Sequence, residues 1–187
     1  MLKNSKRGTQ MKKLLGGSCG ILLALTMSQT VFADDHDHGH GGGGLNARLS
    51  GNQEVPVVST PAKGTFALMM VDANTLNYSL TMSGLKGTVT QAHIHIAQPN
   101  VAGGIMIWLC GTATNPGPAG TPVCPAAGGT VTGTIIAANV VGPAGQGIAV
   151  GAFADALAAI EKGLAYANIH STLAPGGEIR GQIRGDD

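Results

Sequence analysis

Three histidines in two separate apolar segments are the residues of this sequence best suited to chemistry. His93 and His95 stand two positions apart, and His170 ends a second segment much later in the chain. Successive side chains of a strand point to opposite faces, so His93 and His95 share a face, with their Cα atoms about 6–7 Å apart. If the segment that ends at His170 pairs beside them, three neutral imidazoles converge. That donor set suits copper first and zinc second.

The H-x-H pattern also has an ordinary explanation, which is two polar side chains on a solvated strand face. The third histidine favours the metal site, because residues 45–187 contain no other histidine. Glu54 and Glu178 are the carboxylates that could orient an imidazole from behind. Arg180 is the nearest candidate for a charge that guides an anion to the site.

A second set of potential metal ligands lies in the polar stretch 34–44, which reads DDHDHGHGGGG and should be disordered when free. If the chain is cleaved after Ala33, His36 becomes the third residue of a free amino terminus. Its imidazole, the terminal amine and two backbone amides can then enclose Cu(II) or Ni(II) in a square plane. The alternative is a solvated spacer that is rich in histidine. The potential ligands are Asp34, Asp35, His36, His38 and His40.

Residues 1–33 have the pattern of a secretory signal peptide. A basic start precedes an apolar stretch at 14–27, and Val31-Phe32-Ala33 resembles an A-x-A-like cleavage site. An uncleaved membrane anchor is the alternative, although the apolar stretch is shorter than the ~20 residues that a span needs. We therefore expect a periplasmic or secreted protein that has no membrane contact after cleavage.

The composition of the remaining chain restricts its partners. After cleavage, six basic residues face ten acidic ones, so the formal charge changes from +1 to −4. With 3% aromatic residues and no basic patch, the chain lacks the features of nucleic-acid binding. A hydrophobic content of 43% argues against disorder. The expected partners are a metal ion and a protein or polysaccharide that the sequence does not identify.

Cys110 and Cys124 are the only cysteines left after cleavage, and an exported pair of this kind predicts a disulfide. It would close a loop of about 15 residues, for which chain entropy predicts about 3 kcal/mol of stabilisation. Two free thiols are the alternative. Trp108, two positions before Cys110, is expected to pack in the core against the disulfide.

Short strands separated by glycine and proline predict an all-β chain. The clearest strand alternates apolar and polar residues over 75–82. Between 151 and 163 the apolar spacing becomes helical through Phe153, Leu157, Ile160 and Leu164, with Gly163 as terminator. This pattern predicts an antiparallel β-sandwich with one short inserted helix. The expected strands are 46–50, 64–71, 75–82, 89–96, 104–109, 130–136, 165–170 and 178–184.

Several separated motifs resemble one known family, the CHRD domain, which is named for chordin and also occurs in bacterial exported proteins. They are LSGNQEVP at 49–56, QAHIH at 91–95, NIH at 168–170 and PGGEIRGQI at 175–183. The resemblance extends over 45–184, so we divide the chain into a signal peptide at 1–33, a tail at 34–44 and a CHRD domain at 45–187. It implies an immunoglobulin-like β-sandwich with a distant likeness to copper–zinc superoxide dismutase.

The dismutase likeness implies a role for each of the three histidines. His93 and His95 are similar to the H-x-H copper pair of that family, and His170 to its late copper histidine. The bridging and zinc-only histidines have no counterpart. We therefore expect an exported CHRD protein that binds copper through a three-histidine site. A copper-only dismutase-like enzyme and an envelope or extracellular interaction module without metal stay as alternatives, and no residue is assigned a catalytic role.

Overall fold

The computed structural model describes residues 44–185, which contain nine β-strands and one α-helix. The helix, α1 (Phe153–Glu161), lies between the sixth and seventh strands. This part of the chain is therefore all-β with one short helix, as the sequence predicts. The strands are β1 (Leu45–Ser50), β2 (Lys63–Asp72), β3 (Thr75–Ser83), β4 (Val89–Ile96), β5 (Gly104–Cys110), β6 (Gly129–Ile135), β7 (Ala165–Ser171), β8 (Ile179–Gln182) and β9 (Arg184–Gly185).

All strand pairs are antiparallel, and they form one sheet in the order β5–β4–β7–β8–β1–β2–β3–β6, with β9 beside β1. The sheet curls until β5 and β6 approach each other, which gives a nearly closed, sandwich-like barrel. Two links cross the remaining gap. Cys110 at the end of β5 forms a disulfide with Cys124. The hydroxyl of Tyr78 on β3 donates a hydrogen bond to the carbonyl of Leu109 on β5, at 2.5 Å.

The alternation of β3 shows why these segments are strands. Leu76, Tyr78, Leu80 and Met82 are buried, while most of the residues between them are exposed. A strand places alternate side chains on one face, so this face joins the core and the other faces solvent. The turn before β3 is closed by Asp72, whose carboxylate accepts a hydrogen bond from the backbone N–H two residues later.

The helix forms and ends as its sequence predicts, with one correction. Phe153 and Ile160 are buried against the core, and Gly163 adopts φ +67° just beyond the helix. The N–H groups of Gly163 and Leu164 bond the carbonyls of Ile160 and Ala159, which is the Schellman arrangement. Leu164, expected on the buried helical face, is 41% exposed. The left-handed turn at Gly163 has already taken the chain out of the helix.

Two further expectations need comment. The predicted strand at 178–184 is interrupted at Ile183, which separates β8 from β9. The predicted signal peptide at 1–33 and the predicted tail, apart from Gly44, lie outside the described residues. Within residues 44–185, no helix combines the length and apolar character that a membrane span requires.

Candidate metal centre

The pairing of β4 with β7 places three histidines on one face of the sheet. His95 lies opposite Tyr166, His93 opposite Asn168, and His170 opposite Gln91, one step further along the same face. The intervening residues of both strands point into the core. The site is therefore built on the outer face of the barrel, on two neighbouring strands.

The three imidazole rings are close enough to share one ion. One ring nitrogen from each of His93, His95 and His170 lies within 4.8 Å of the other two. Nδ1 of His93 donates a hydrogen bond to Nε2 of His170 at 3.1 Å, a contact that a shared ion would replace. The ring centroids are 5.4 Å apart for His93 and His95, and 5.0 Å apart for His93 and His170. The structure thus brings together the three histidines that the sequence singles out.

Backbone carbonyls orient two of the rings. Nδ1 of His95 donates to the carbonyl of Gly103 at 3.0 Å, and Nδ1 of His170 donates to the carbonyl of Pro175 at 2.9 Å. A carbonyl oxygen can only accept, so Nδ1 carries the proton and Nε2 keeps the lone pair. Metal-binding histidines are commonly held in this way, with one nitrogen bonded to the protein and the other turned to the ion.

Glu54 and Glu178, the two carboxylates that could orient an imidazole, accept hydrogen bonds from other groups. The carboxylate of Glu178 accepts hydrogen bonds from the backbone of Lys86 at 2.7 Å and from the hydroxyl of Ser171 at 2.5 Å. Glu54 accepts a hydrogen bond from the amide of Asn168 at 2.6 Å, and burial raises its pKa to about 7. Loop carbonyls, which no side-chain pattern reveals, orient His95 and His170 instead.

Burial keeps the three rings neutral. His93 is fully buried, and His95 and His170 are only 7% and 6% exposed. Burial lowers the pKa of His93 to about 2 and that of His95 to about 4, and it also lowers the pKa of His170. Neutral imidazoles offer their lone pairs at neutral pH, which is the state a metal requires.

Two nitrogens of this group are buried without a partner. Nε2 of His93 and Nε2 of His95 have no hydrogen bond within residues 44–185. Leaving a buried polar atom unsatisfied costs about 1–3 kcal/mol. A metal ion bound by lone-pair nitrogens would remove part of that cost, so the donor set fits a metal centre.

Two aromatic rings flank the histidines, and sequence analysis did not place them there. Trp108 is partly exposed and meets the His93 ring edge-on, with centroids 4.3 Å apart. Trp108 lies opposite His93 in the register of β4 and β5, which brings it to the site. The expectation that it packs in the core against the disulfide was therefore wrong. Tyr166 stacks on His95 at 4.8 Å, and the two rings are nearly parallel at 6°.

Arg180 does not present a free charge to an incoming anion. It is only 2% exposed, and its guanidinium donates to the carbonyls of Val101 at 2.7 Å and Gln98 at 3.2 Å. Its Cζ atom lies 3.5 Å from the centre of the Tyr166 ring. The loop before β5 covers this arginine, so the candidate for a guiding charge is not accessible to an anion.

The second predicted ligand group, Asp34, Asp35, His36, His38 and His40, lies outside the described residues. Comparison with known proteins gives one match. The family model described as the CHRD domain matches residues 45–183. Neither a curated protein nor a solved structure matches the chain.

Proposed function

Since the chain belongs to the CHRD domain family, we propose that it is an exported module that binds copper through His93, His95 and His170. One observation carries the proposal. A nitrogen of each ring lies within 4.8 Å of the others, in a buried group where two imidazole nitrogens have no protein partner in the described part of the chain. This arrangement costs stability unless a ligand uses it.

Copper suits these ligands better than other common ions. The group consists of three histidines, and no carboxylate of residues 44–185 belongs to it. Imidazole nitrogen is a ligand for copper and zinc, whereas calcium and magnesium prefer oxygen. For a given nitrogen site, divalent copper generally binds more tightly than zinc. Zinc also accepts three histidines when water completes its tetrahedron, so zinc is the main competing ion.

The test is a copper titration of the purified full-length protein without an affinity tag. Trp108 is the only tryptophan, and its ring lies 4.3 Å from the His93 ring, so its fluorescence should fall as Cu(II) binds. A His93→Ala, His95→Ala, His170→Ala variant should lose one equivalent of copper and most of the quenching. The matched control replaces His36, His38 and His40 with alanine, and it should keep the quenching at Trp108.

Unchanged stoichiometry and quenching in the first variant would refute copper binding at this site. In that case the interaction module without metal would become the better account of the domain. The dismutase alternative requires the copper-loaded protein to outpace free copper in a superoxide assay, and buried Arg180 gives it no steering charge. Export is tested separately, because N-terminal sequencing of the protein from the periplasm or medium should begin at Asp34.

A further inference from the structure

We infer that the three-histidine site holds copper as Cu(I) in preference to Cu(II) or zinc, and that Arg180 strengthens this preference. The inference rests on the proposed function, because it concerns the charge of the ion bound by the same three rings. It goes beyond that proposal by naming an oxidation state and a specificity-determining residue that does not touch the ion.

The three proposed ligands carry no negative charge. His93, His95 and His170 are buried and neutral, and no carboxylate of the described chain belongs to the group. A buried ion is costly unless opposite charges compensate it. With neutral ligands none of the ion's charge is cancelled, so a monovalent ion is tolerated better than a divalent one.

The group supplies only three protein ligands. Among residues 44–185, no fourth histidine, cysteine or carboxylate belongs to the group. A filled-shell Cu(I) ion is stable with as few as three ligands, whereas Cu(II) prefers tetragonal coordination and zinc completes its tetrahedron with a fourth ligand such as water. The site therefore matches the coordination that Cu(I) accepts.

Arg180 places a fixed positive charge near one of the three histidines, His95. The Cζ atom of Arg180 on β8 lies 3.5 Å from the centre of the Tyr166 ring on β7. The Tyr166 ring in turn stacks on the ring of His95 on β4, with the centroids 4.8 Å apart. Hydrogen bonds to the carbonyls of Val101 and Gln98 hold the guanidinium in place.

A positive charge at this position repels Cu(II) more strongly than Cu(I). The Tyr166 ring separates the guanidinium from His95. Across about 10 Å, at the effective dielectric constant of a partly buried site, one extra unit of charge on the ion changes the ratio of Cu(I) to Cu(II) affinity by a factor of roughly ten to one hundred. Glu54 is the carboxyl whose charge acts on Arg180. Because burial raises the pKa of Glu54 to about 7, it offsets only part of the guanidinium charge at neutral pH.

The experiment measures the affinities for Cu(I), Cu(II) and Zn(II) by competition with chromophoric chelators, without oxygen for Cu(I). The protein carries alanine at positions 36, 38 and 40, so that only the three-histidine site is reported. The variants are Arg180→Gln, which removes the charge, and Arg180→Lys, which keeps it. Arg184→Gln is the matched control, because it removes an exposed arginine from the neighbouring strand.

We expect the unaltered site to bind Cu(I) most tightly, and Arg180→Gln to lower the ratio of Cu(I) to Cu(II) affinity at least about ten-fold. Arg180→Lys should keep most of the ratio, and Arg184→Gln all of it. A site that prefers Cu(II) or Zn(II) overturns the inference even if Arg180→Gln fails to fold. A folded Arg180→Gln protein with an unchanged ratio overturns the role of Arg180. Absence of any metal binding overturns the proposed function as well.

Discussion

At the scale of single residues, Gly103 joins two features of the candidate site. Its carbonyl accepts the proton of His95 Nδ1, and its N–H donates to the hydroxyl of Tyr166 at 3.2 Å. A Cβ atom at this position would lie 1.7 Å from the carbonyl oxygen of Ile96, so only glycine fits. The main chain thus positions His95 by means of a residue that has no side chain of its own.

This arrangement predicts the effect of removing one hydroxyl. Tyr166→Phe keeps the ring that stacks on His95 but leaves the N–H of Gly103 without its acceptor, so the carbonyl that orients His95 is held less firmly. Loss of such outer contacts typically costs 10–100-fold in metal affinity. We expect copper affinity to fall by about ten-fold, as measured by chelator competition.

Tyr78→Phe is the matched control for this prediction. Tyr78 is also a buried tyrosine whose hydroxyl bonds to backbone, but its partner is the carbonyl of Leu109 rather than a group at the site. Its loss should lower the free energy of unfolding by about 1–2 kcal/mol and leave copper affinity unchanged. Equal copper affinities in both variants would contradict the role given to Tyr166.

The buried imidazoles also predict how stability depends on pH. The pKa of His95 falls from about 6.5 to about 4 on folding, and those of His93 and His170 fall as well. Below pH 6.5 the unfolded chain therefore binds more protons than the folded one. The contribution of the neutral histidines to the free energy of unfolding should be complete above pH 6.5. It should decrease as the pH falls toward 4, by about 3 kcal/mol for His95 alone.

Glu54 acts in the opposite direction, because its pKa rises to about 7 on folding. Its contribution is present below pH 4.5 and is lost as the pH rises through 7, so it offsets part of the histidine effect. Urea unfolding with a chelator at pH 7.5, 6, 5 and 4 measures the sum. The triple alanine variant of the three histidines should lose less stability in acid, and an equal loss would show that other groups cause it.

At the scale of elements, the contact between β3 and β6 depends on a glycine. Gly133 lies opposite Tyr78, and a Cβ atom there would be 2.6 Å from the tyrosine hydroxyl oxygen. Gly133→Ala should therefore displace the ring that bridges to β5 and lower the free energy of unfolding by about 1–3 kcal/mol. Gly145→Ala is the control, because nothing lies within 4 Å of its added Cβ, and thermal unfolding compares the two. Equal melting temperatures would contradict the packing described for Tyr78.

Elements with regular alternation could be predicted from the sequence, and those without it could not. The period of two in β3 and the H-x-H pattern in β4 fixed which side chains share a face, since strand geometry allows one arrangement. The bounds Val89–Ile96 agree with the prediction. The carbonyls of Gly103 and Pro175 and the position of Trp108 depend on loop paths and strand register, which side-chain periodicity does not encode.

At the scale of the whole molecule, the disulfide ties the edge strand β5 to the segment that leads into the other edge strand, β6. It connects Cys110 on β5 to Cys124 before β6, and it closes a loop of about 15 residues that is rich in turn formers. Its removal by a Cys110→Ser, Cys124→Ser double variant should cost about 3 kcal/mol, mainly through the entropy of the unfolded chain. Chemical denaturation checks this value, and an unchanged midpoint would contradict it.

The order of the strands around the barrel lies beyond the sequence argument. Alternation identifies strands one at a time, but the pairing of β4 with β7 joins segments far apart in the chain. From the sequence, the pairing of these two segments could be given only as a condition for the candidate metal site. The structure meets the condition because β7 lies between β4 and β8, and this follows from how the core as a whole packs.

The location of the three histidines outside the barrel has a consequence for its evolution. Their strand neighbours Ile94 and Ile169 belong to the hydrophobic core, whereas the imidazoles lie on the other face of the same strands. A related chain could therefore gain or lose the three histidines through a few substitutions and keep the same core. Distant kin would then share an architecture yet differ in whether they carry an ion, so shared ancestry and shared inorganic chemistry need to be established independently.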